Sequence, residues 1–297
     1  MDEQLLPYQT MSFQEKIFIA LQHILPQHGL SRLMGRITHC TQPWVKNTLM
    51  RQISKAYGIN LEEASESDFN HYPHFNAFFT RALKEGARTI DLDPNHFVSP
   101  ADGAISQMGP ILGDSILQAK GRDYTVLDLL GGDTQRAKQF ENGQFATIYL
   151  SPKDYHRLHM PISGDLTQMV HVPGKLFSVN DATARGVPRL FARNERVIAY
   201  FETPYGPMAL ILVGAIFVAS IETVWHGVVT PPTQTQIQSW DYTKGEYTLQ
   251  KGEEMGRFNM GSTIIVLLGK DAITWSQSLQ SGSPVRLGET LGIKASV

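Results

Sequence analysis

The first 60 residues show the spacing of apolar side chains that is typical of helices. Ser12 followed by Glu15 is the pattern of a capping box, in which each side chain bonds the other residue's backbone at a helix start. Apolar residues then recur at spacings of three and four, namely Phe13, Ile17, Leu21 and Ile24/Leu25. We predict one amphipathic helix here, which Pro26 and Gly29 end.

Two more helices are predicted before residue 60. The second is short and carries Leu30, Leu33, Met34 and Ile37 on one side, with Arg32 and Arg36 beside them. The third runs over residues 43–57, because Pro43 suits a first helical turn and Gly58 suits a left-handed C-terminal cap.

Beyond about residue 95 the pattern changes to strands and turns. Residues 145–150 form a β-type run, and residues 196–201 and 208–219, joined by a Pro-Tyr-Gly-Pro turn, predict a hairpin. Continuous apolar runs at 209–213 and 262–268 predict strands buried on both faces. The predicted fold class is α+β: a helical cap over residues 1–60 and a mainly β body, like a barrel or sandwich, over 61–297.

Composition narrows the classes of function. A chain of 297 residues, 42% of them hydrophobic, can bury a sizeable core. A net charge of -2 gives no electrostatic reason to bind nucleic acid, and the single cysteine, Cys40, excludes an intrachain disulfide. The acidic start, Met1-Asp2-Glu3, does not predict a signal peptide, and no run of about 18 apolar residues predicts a transmembrane helix.

The N-terminal helices have two explanations. Residues 1–60 hold six Lys/Arg against three Asp/Glu, and they present an apolar face with Trp44 nearby. That composition is typical of helices that lie in a membrane interface. The alternative is that they pack on the body of the protein, as most amphipathic helices do.

Two short motifs contain candidate catalytic residues. Asp102 lies in Pro-Ala-Asp-Gly at 100–103, which is also an ordinary turn at the edge of a strand. His156 and His159 lie within residues 149–161, and on a helical turn they would share one face as a metal pair or as two acid–base groups. Hydrogen-bonded or surface histidines are the commoner case, and no third ligand supports a metal site.

The third motif is Gly-Ser-Thr at 261–263, where a polar segment enters a buried strand. Its ordinary explanation is a glycine that lets the backbone bend before two small polar residues. The functional alternative is that Ser262 attacks the carbonyl of Gly261, which requires a base and a group that orients the base. His159 is a candidate for the base, and Asp102 is a candidate for the group that orients it.

Taken together, six motifs resemble those of bacterial phosphatidylserine decarboxylases in content and order. They lie at residues 100–103, 149–161, 177–180, 191–197, 220–225 and 261–263. The resemblance extends from about residue 70 to 270 and is weaker over the N-terminal helices. The family commonly has Leu where this chain has Met260, and that exchange conserves volume and apolarity.

The resemblance implies a proenzyme that cuts itself before Ser262, with His159 as the base and Asp102 orienting it. Residues 1–261 would become the large β subunit and 262–297 the small α subunit, whose first residue, Ser262, becomes a covalent pyruvoyl cofactor. That group would form a Schiff base with phosphatidylserine and yield phosphatidylethanolamine and carbon dioxide. His156 would return a proton, and Ser178 would hold the substrate carboxylate.

The resemblance also implies partners and a location. A diacyl substrate lies in a bilayer, so residues 11–57 are expected to dock on the cytoplasmic face of the cell membrane, as a peripheral protein. The two subunits would form a heterodimer, and a dimer of these heterodimers is expected.

Two rival hypotheses use the same residues. A serine or metal-dependent hydrolase would keep an intact chain and show esterase activity. A lipid-binding scaffold would keep the fold without turnover and leave Ser262 uncut.

Overall fold

The computed structural model describes residues 11–217, 220–231, 235–261 and 263–295. The acidic first residues and Ser262, on which predictions above depend, lie outside the described residues.

The helices of the described chain are concentrated at its N-terminal end. They are α1 (Phe13–Ile24), α2 (Gln27–Thr38), α3 (Pro43–Tyr57), α4 (Phe75–Phe79), α5 (Val126–Leu129), α6 (Thr134–Lys138), α7 (Asp181–Gly186) and α8 (Leu190–Arg193). Both bonds of the predicted capping box at Ser12 and Glu15 are present, and Gly58 adopts the left-handed cap with φ 66°. The prediction that Gly29 ends a helix is wrong. Pro26 is the N-cap of α2, where its missing N–H costs no helical bond, so Gly29 lies inside that helix.

The rest of the chain is mainly strands. The first nine are β1 (His96–Val98), β2 (Gly103–Pro110), β3 (Ser115–Ala119), β4 (Arg122–Thr125), β5 (Gln144–Tyr149), β6 (Arg157–His159), β7 (Gly164–Val172), β8 (Arg196–Thr203) and β9 (Gly206–Val213). The others are β10 (Ile221–Thr223), β11 (Gly227–Val228), β12 (Gln238–Asp241), β13 (Thr248–Leu249), β14 (Glu254–Phe258), β15 (Thr263–Leu268), β16 (Ile273–Trp275), β17 (Pro284–Val285) and β18 (Thr290–Lys294).

The largest sheet organises the body. Its order is β12-β7-β8-β9-β15-β5-β2-β17, with β13 also paired to β7, and its pairings are antiparallel. Smaller sheets have the orders β11-β10-β14-β6, β1-β18-β16 and β3-β4. The α+β class is confirmed, and the body consists of open sheets instead of a closed barrel.

Apolar side chains cover both faces of the central strands. Leu210, Leu212, Ile264 and Val266 belong to a core on one face, and their neighbours Ile211, Val213, Ile265 and Leu267 belong to a core on the other. This alternation is the period of two that a strand imposes. The predicted burial on both faces is therefore confirmed, but the second hairpin strand ends at Val213 and does not continue to residue 219 as predicted.

The apolar stripe of α1 faces outward. Phe13 is 78% exposed and Ile24 77%, with Ile17 and Leu21 about half exposed between them. The residues that α1 buries are Ile19 and Gln22. Most of the stripe is thus left without a cover from the described body. Within the described ranges, no helix is both long and apolar enough to cross a bilayer.

Candidate active site

The Gly261 carbonyl lies at the entrance to the central strand β15. Four residues, 259–262, lie between β14 and β15, and the described part of this loop is Asn259 to Gly261. β15 pairs with β9 on one side and β5 on the other. Asn259 fixes this loop, since its N–H donates to the Ser220 carbonyl at 2.9 Å and its side-chain oxygen accepts from Asn76 at 3.0 Å. Met260 then has φ 103°, a conformation that strains a residue with a side chain. Strain is therefore located directly before the predicted cleavage position.

His156 is fully buried beside Gly261. Its Nδ1–H donates to the Asp154 carbonyl at 2.8 Å, which leaves the lone pair on Nε2. Nε2 has no hydrogen-bond partner among the described residues, and a Cβ placed on Gly261 would lie 3.6 Å from it. Burial lowers the pKa of His156 to about 3, and the bond to Asp154 offsets only part of that effect. The ring is therefore a neutral base at pH 7.

The prediction that His156 and His159 share the face of a helical turn is wrong. His159 ends strand β6, which pairs with β14, and extended residues three apart point to opposite faces. Hydrogen bonds to β14 determine the conformation here, so the local i,i+3 spacing carries no information about a shared site. The two rings consequently have different neighbours.

His159 is held by a carbonyl and a tyrosine. Its Nδ1–H donates to the Gly252 carbonyl at 2.7 Å, and its Nε2 accepts from the Tyr155 hydroxyl at 3.2 Å. Burial lowers the pKa of His159, while the bond to Gly252 and the charges of Glu254 and Asp102 raise it by less. His159 is thus a neutral ring with its lone pair on Nε2.

Asp102 lies in the predicted turn before β2 and is nearly buried. Arg88 Nε donates to its two carboxylate oxygens at 2.9 and 3.1 Å, and Arg88 Nη2 donates at 2.5 Å. The N–H of Leu287 adds a bond of 2.8 Å. Asp102 therefore contacts Arg88 and the C-terminal segment, and the Gly252 carbonyl takes the place that sequence reasoning gave to Asp102 at the His159 ring.

A cavity of about 440 Å³ lies between the N-terminal helices and the Gly261 loop. Ser178 and Gly261 both line it, and most of the remaining wall is apolar, including Phe18, Ile53 and Phe79. Phe79 also packs on the His156 ring, with ring centroids 4.0 Å apart. Asp102 lines a different cavity of about 650 Å³.

The structure thus brings His156, Ser178 and Gly261 to one place. Asp102 lines a different cavity together with Tyr155, the hydrogen-bond partner of His159. Sequence reasoning did not find Arg88 or Tyr155. Tyr155 lies inside the 149–161 motif and could have been tested as a partner of a histidine. Arg88 had no such signal, because its contact with Asp102 depends on tertiary packing.

Comparison with known proteins identifies the family. A family model described as Phosphatidylserine decarboxylase matches residues 75–293. The chain belongs to the phosphatidylserine decarboxylase family. A second family model, described as PSD, matches residues 17–58, so the helical N-terminal region resembles known proteins as well.

Relatives of this decarboxylase are similar along nearly their whole length. A Pseudomonas fluorescens protein is 55% identical, with 94% of this chain and 98% of the relative covered. A Methylococcus capsulatus protein is 53% identical, with 93% and 96% covered, and a Hahella chejuensis protein is 52% identical, with 95% of both covered. Each of these relatives is named phosphatidylserine decarboxylase proenzyme.

Proposed function

We propose that this chain is the precursor of a pyruvoyl-dependent enzyme that decarboxylates phosphatidylserine to phosphatidylethanolamine. The supporting observation is the neutral, unpartnered Nε2 of His156 beside Gly261, which lines an apolar cavity. The names of the relatives support the substrate and the precursor state.

The first reaction is self-cleavage between Gly261 and Ser262. The Ser262 hydroxyl loses its proton to a base and attacks the Gly261 carbonyl, so an ester replaces the peptide bond. Loss of the Ser262 α-proton then breaks the ester C–O bond and leaves a carboxylate on Gly261 and a dehydroalanine on the small chain. Water hydrolyses that dehydroalanine to a ketone and releases ammonia.

His159 is the proposed base for this step. The Gly252 carbonyl fixes its Nδ1–H, so the lone pair lies on Nε2. Nε2 accepts the proton once the hydrogen bond from the Tyr155 hydroxyl is broken. Asp102 supports the site through its fixed negative charge, held in place by Arg88. Relief of the strained Met260 backbone would favour the same step.

The surroundings of Gly261 suit a pyruvoyl group at position 262. The buried Nε2 of His156 is an acceptor with no partner among the described residues and lies beside Gly261, and Ser178 lies on the wall of the cavity that Gly261 lines. When present, the pyruvoyl group supplies a ketone that condenses with the substrate amine and accepts the electrons left by carbon dioxide.

His156 and Ser178 have separate tasks in the second reaction. Because its pKa is about 3, His156 enters without a proton, and any proton that reaches its Nε2 is given up readily. Condensation of the substrate ammonium with a ketone releases water and one proton, and His156 would pass that proton to the carbon that lost carbon dioxide. Ser178 donates a hydrogen bond to the substrate carboxylate. The apolar cavity wall excludes water, which strengthens both interactions.

The helical cap, residues 1–60, is the proposed membrane-docking part, and residues 61–297 are the catalytic body. The exposed apolar stripe of α1, together with Trp44 at 76% exposure, would enter the acyl boundary of the cytoplasmic leaflet. The enzyme is then a peripheral membrane protein whose cavity opens beside its lipid substrate. The family resemblance adds that the mature heterodimer of large and small subunits pairs with a second copy.

Intact mass spectrometry of the purified wild-type protein tests this function. We expect two chains divided between Gly261 and Ser262, the small one lighter by one ammonia than a chain that starts with serine. Ser262→Ala is the control and stays at full length. A single full-length mass from folded wild-type protein, with esterase activity, would favour a hydrolase instead.

A further inference from the structure

A third cavity, of about 340 Å³, which we call the α1–α2 cavity, lies where the turn between α1 and α2 meets the segment after β7. Its charged lining consists of Arg32, Lys175 and Arg193, joined by His23 and His28, and among the described residues no Asp or Glu lines it. The cavity that holds Asp102 differs, since three carboxylates accompany its four cations. The α1–α2 cavity is therefore positive in a chain whose net charge is slightly negative.

Within the part of the chain that the structure describes, the three permanent cations of this cavity have no acidic partner. Arg32, Lys175 and Arg193 are absent from the ion pairs that the described residues form with one another. Arg193 is held against the wall by Phe177, with its guanidinium carbon 4.9 Å from the ring centroid. Like charges held together repel, so an anion bound among them is favoured.

The start of α2 adds to this positive charge. Gln27, His28 and Gly29, the first residues of that 12-residue helix, line the cavity, and its N-cap Pro26 makes no side-chain capping bond. The positive end of the helix dipole therefore points toward the same space as the cations.

The cavity wall is built before any ligand arrives. Gln27 Oε1 accepts from the Leu176 N–H at 2.7 Å, and Gln22 Oε1 accepts from the Ser178 N–H at 3.0 Å. Both glutamines are buried. Gln22 also lines the cavity at Gly261, so the two cavities lie side by side with this residue between them.

The rim of the cavity is apolar on the side of α1. Leu25 lines the cavity at 38% exposure, and its neighbour Ile24 is 77% exposed as the last residue of the apolar stripe. A ligand that suits both features has a negative head next to an apolar body. A phospholipid with a net negative head group has that chemistry.

We propose that the α1–α2 cavity binds the phosphate of an anionic phospholipid other than the substrate. The bound lipid would anchor the cap so that the neighbouring Gly261 cavity faces the same bilayer. This inference rests on the proposed action at a membrane and adds to it a defined site and a ligand class.

The test compares the binding of the full-length chain to phosphatidylcholine vesicles with and without phosphatidylglycerol. The variant Arg32→Gln/Lys175→Gln removes two cavity charges, and Lys138→Gln/Lys270→Gln removes two exposed charges elsewhere. With roughly 20 mol% phosphatidylglycerol we expect wild type to bind roughly a hundredfold more tightly than without it, and each of the cavity charges removed to cost about fivefold. The control variant should keep the preference.

Other outcomes would overturn the site. Equal losses of vesicle affinity in both variants would mean that surface charge attracts the membrane diffusely and that the cavity is not a site. Equal binding of wild type to vesicles with and without phosphatidylglycerol would show that the ligand is not an anionic phospholipid. Activity on phosphatidylserine in neutral detergent micelles tests whether the cavity binds the phosphate of the substrate itself instead of that of a second lipid. KM should be unchanged in Arg32→Gln/Lys175→Gln, and a raised KM would assign the cavity to the substrate. Intact masses of the same samples report self-cleavage separately.

Discussion

His156 is a fully buried and His159 a partly buried neutral imidazole, and their partners differ. The Nε2 of His156 has no partner among the described residues and lies next to Gly261, whereas the Nε2 of His159 accepts from Tyr155. A carbonyl fixes Nδ1–H in both rings, so each ring presents a basic Nε2. Geometry places His156 nearer to the cleavage position, and the family resemblance gives the role of base to His159.

Separate substitutions assign the two roles. We expect His159→Ala to abolish self-cleavage, and His156→Ala to leave cleavage intact while lowering decarboxylation at least a hundredfold, about the effect of removing an acid–base group. Intact mass and carbon dioxide release measure the two steps. Cleavage that survives in His159→Ala but stops in His156→Ala would transfer the base role to His156.

The lowered pKa of both histidines makes self-cleavage tolerant of acid. A free histidine gains its proton near pH 6.5, but burial lowers the pKa of each ring, so the neutral base persists below that pH. We expect the rate of cleavage of freshly translated precursor to stay constant as pH falls from 8 to 6.5. The pKa of an exposed histidine is 6.5, so an exposed base would already be half protonated at that pH. A rate that halves at or above pH 6.5 would contradict this.

At the scale of elements, α1 packs on the body with one side and leaves its apolar stripe exposed on the other. Ile19 and Gln22 face the body, whereas the stripe that begins with Phe13 stays exposed. β14 has a different function in the fold, since it pairs with β10 and with the strand β6 that carries His159. One element thus carries the proposed membrane-docking stripe, and the other pairs with the strand that ends at His159, the proposed base.

Changing the stripe should weaken membrane binding without affecting self-cleavage. Ile17→Asp/Leu21→Asp removes two half-exposed apolar side chains and adds charge, so binding to neutral vesicles should fall roughly a hundredfold. Gln139→Asp/Gln280→Asp adds the same charges at exposed positions on the body and should bind like wild type. Flotation with vesicles measures binding, and unchanged binding of the stripe variant would disprove docking through α1.

Gly256 in β14 has no room for a side chain. A Cβ there would lie 2.4 Å from the Glu222 carbonyl oxygen on β10, so Gly256→Ala must push the two strands apart. We expect a loss of about 1–3 kcal/mol in the free energy of unfolding and slower self-cleavage as β6 shifts. Gly29→Ala, which meets only ordinary contact inside α2, should be neutral or slightly stabilising. Chemical denaturation measures both, and equal stabilities would contradict the packing argument.

At the scale of the whole molecule, the proposed cleavage position lies at the start of a central strand. All six residues of β15 pair with β5 on one side and with β9 on the other. β17 and β18 add pairings to β2 and β1. The strands of the small chain would therefore remain paired with strands of the large chain in the same sheets.

Cleavage should for that reason leave the two chains associated. We expect residues 1–261 and 262–297 to co-elute on gel filtration in native buffer and to separate only in denaturant, because release would expose the buried β15. Native mass spectrometry gives a second measurement. Loss of the small chain from the native protein would show that the sheet does not hold it.

The sequence by itself determined the elements whose signals are local. The capping box of α1, the glycine cap of α3 and the apolar runs of β9 and β15 are set by neighbouring residues, so pattern was sufficient. The sequence also contains the motifs that resemble the family, and the family model that matches residues 75–293 confirms the resemblance.

Tertiary structure decided what depends on residues far apart in the chain. Pairing of β6 with β14 overrode the helical spacing of His156 and His159, and Arg88 bound the carboxylate of Asp102. The cluster of Arg32, Lys175 and Arg193 forms only when α2 meets the segment after β7 and the end of α8. Hydrogen bonding and charge act through space, so these contacts have no period along the sequence from which they could be predicted.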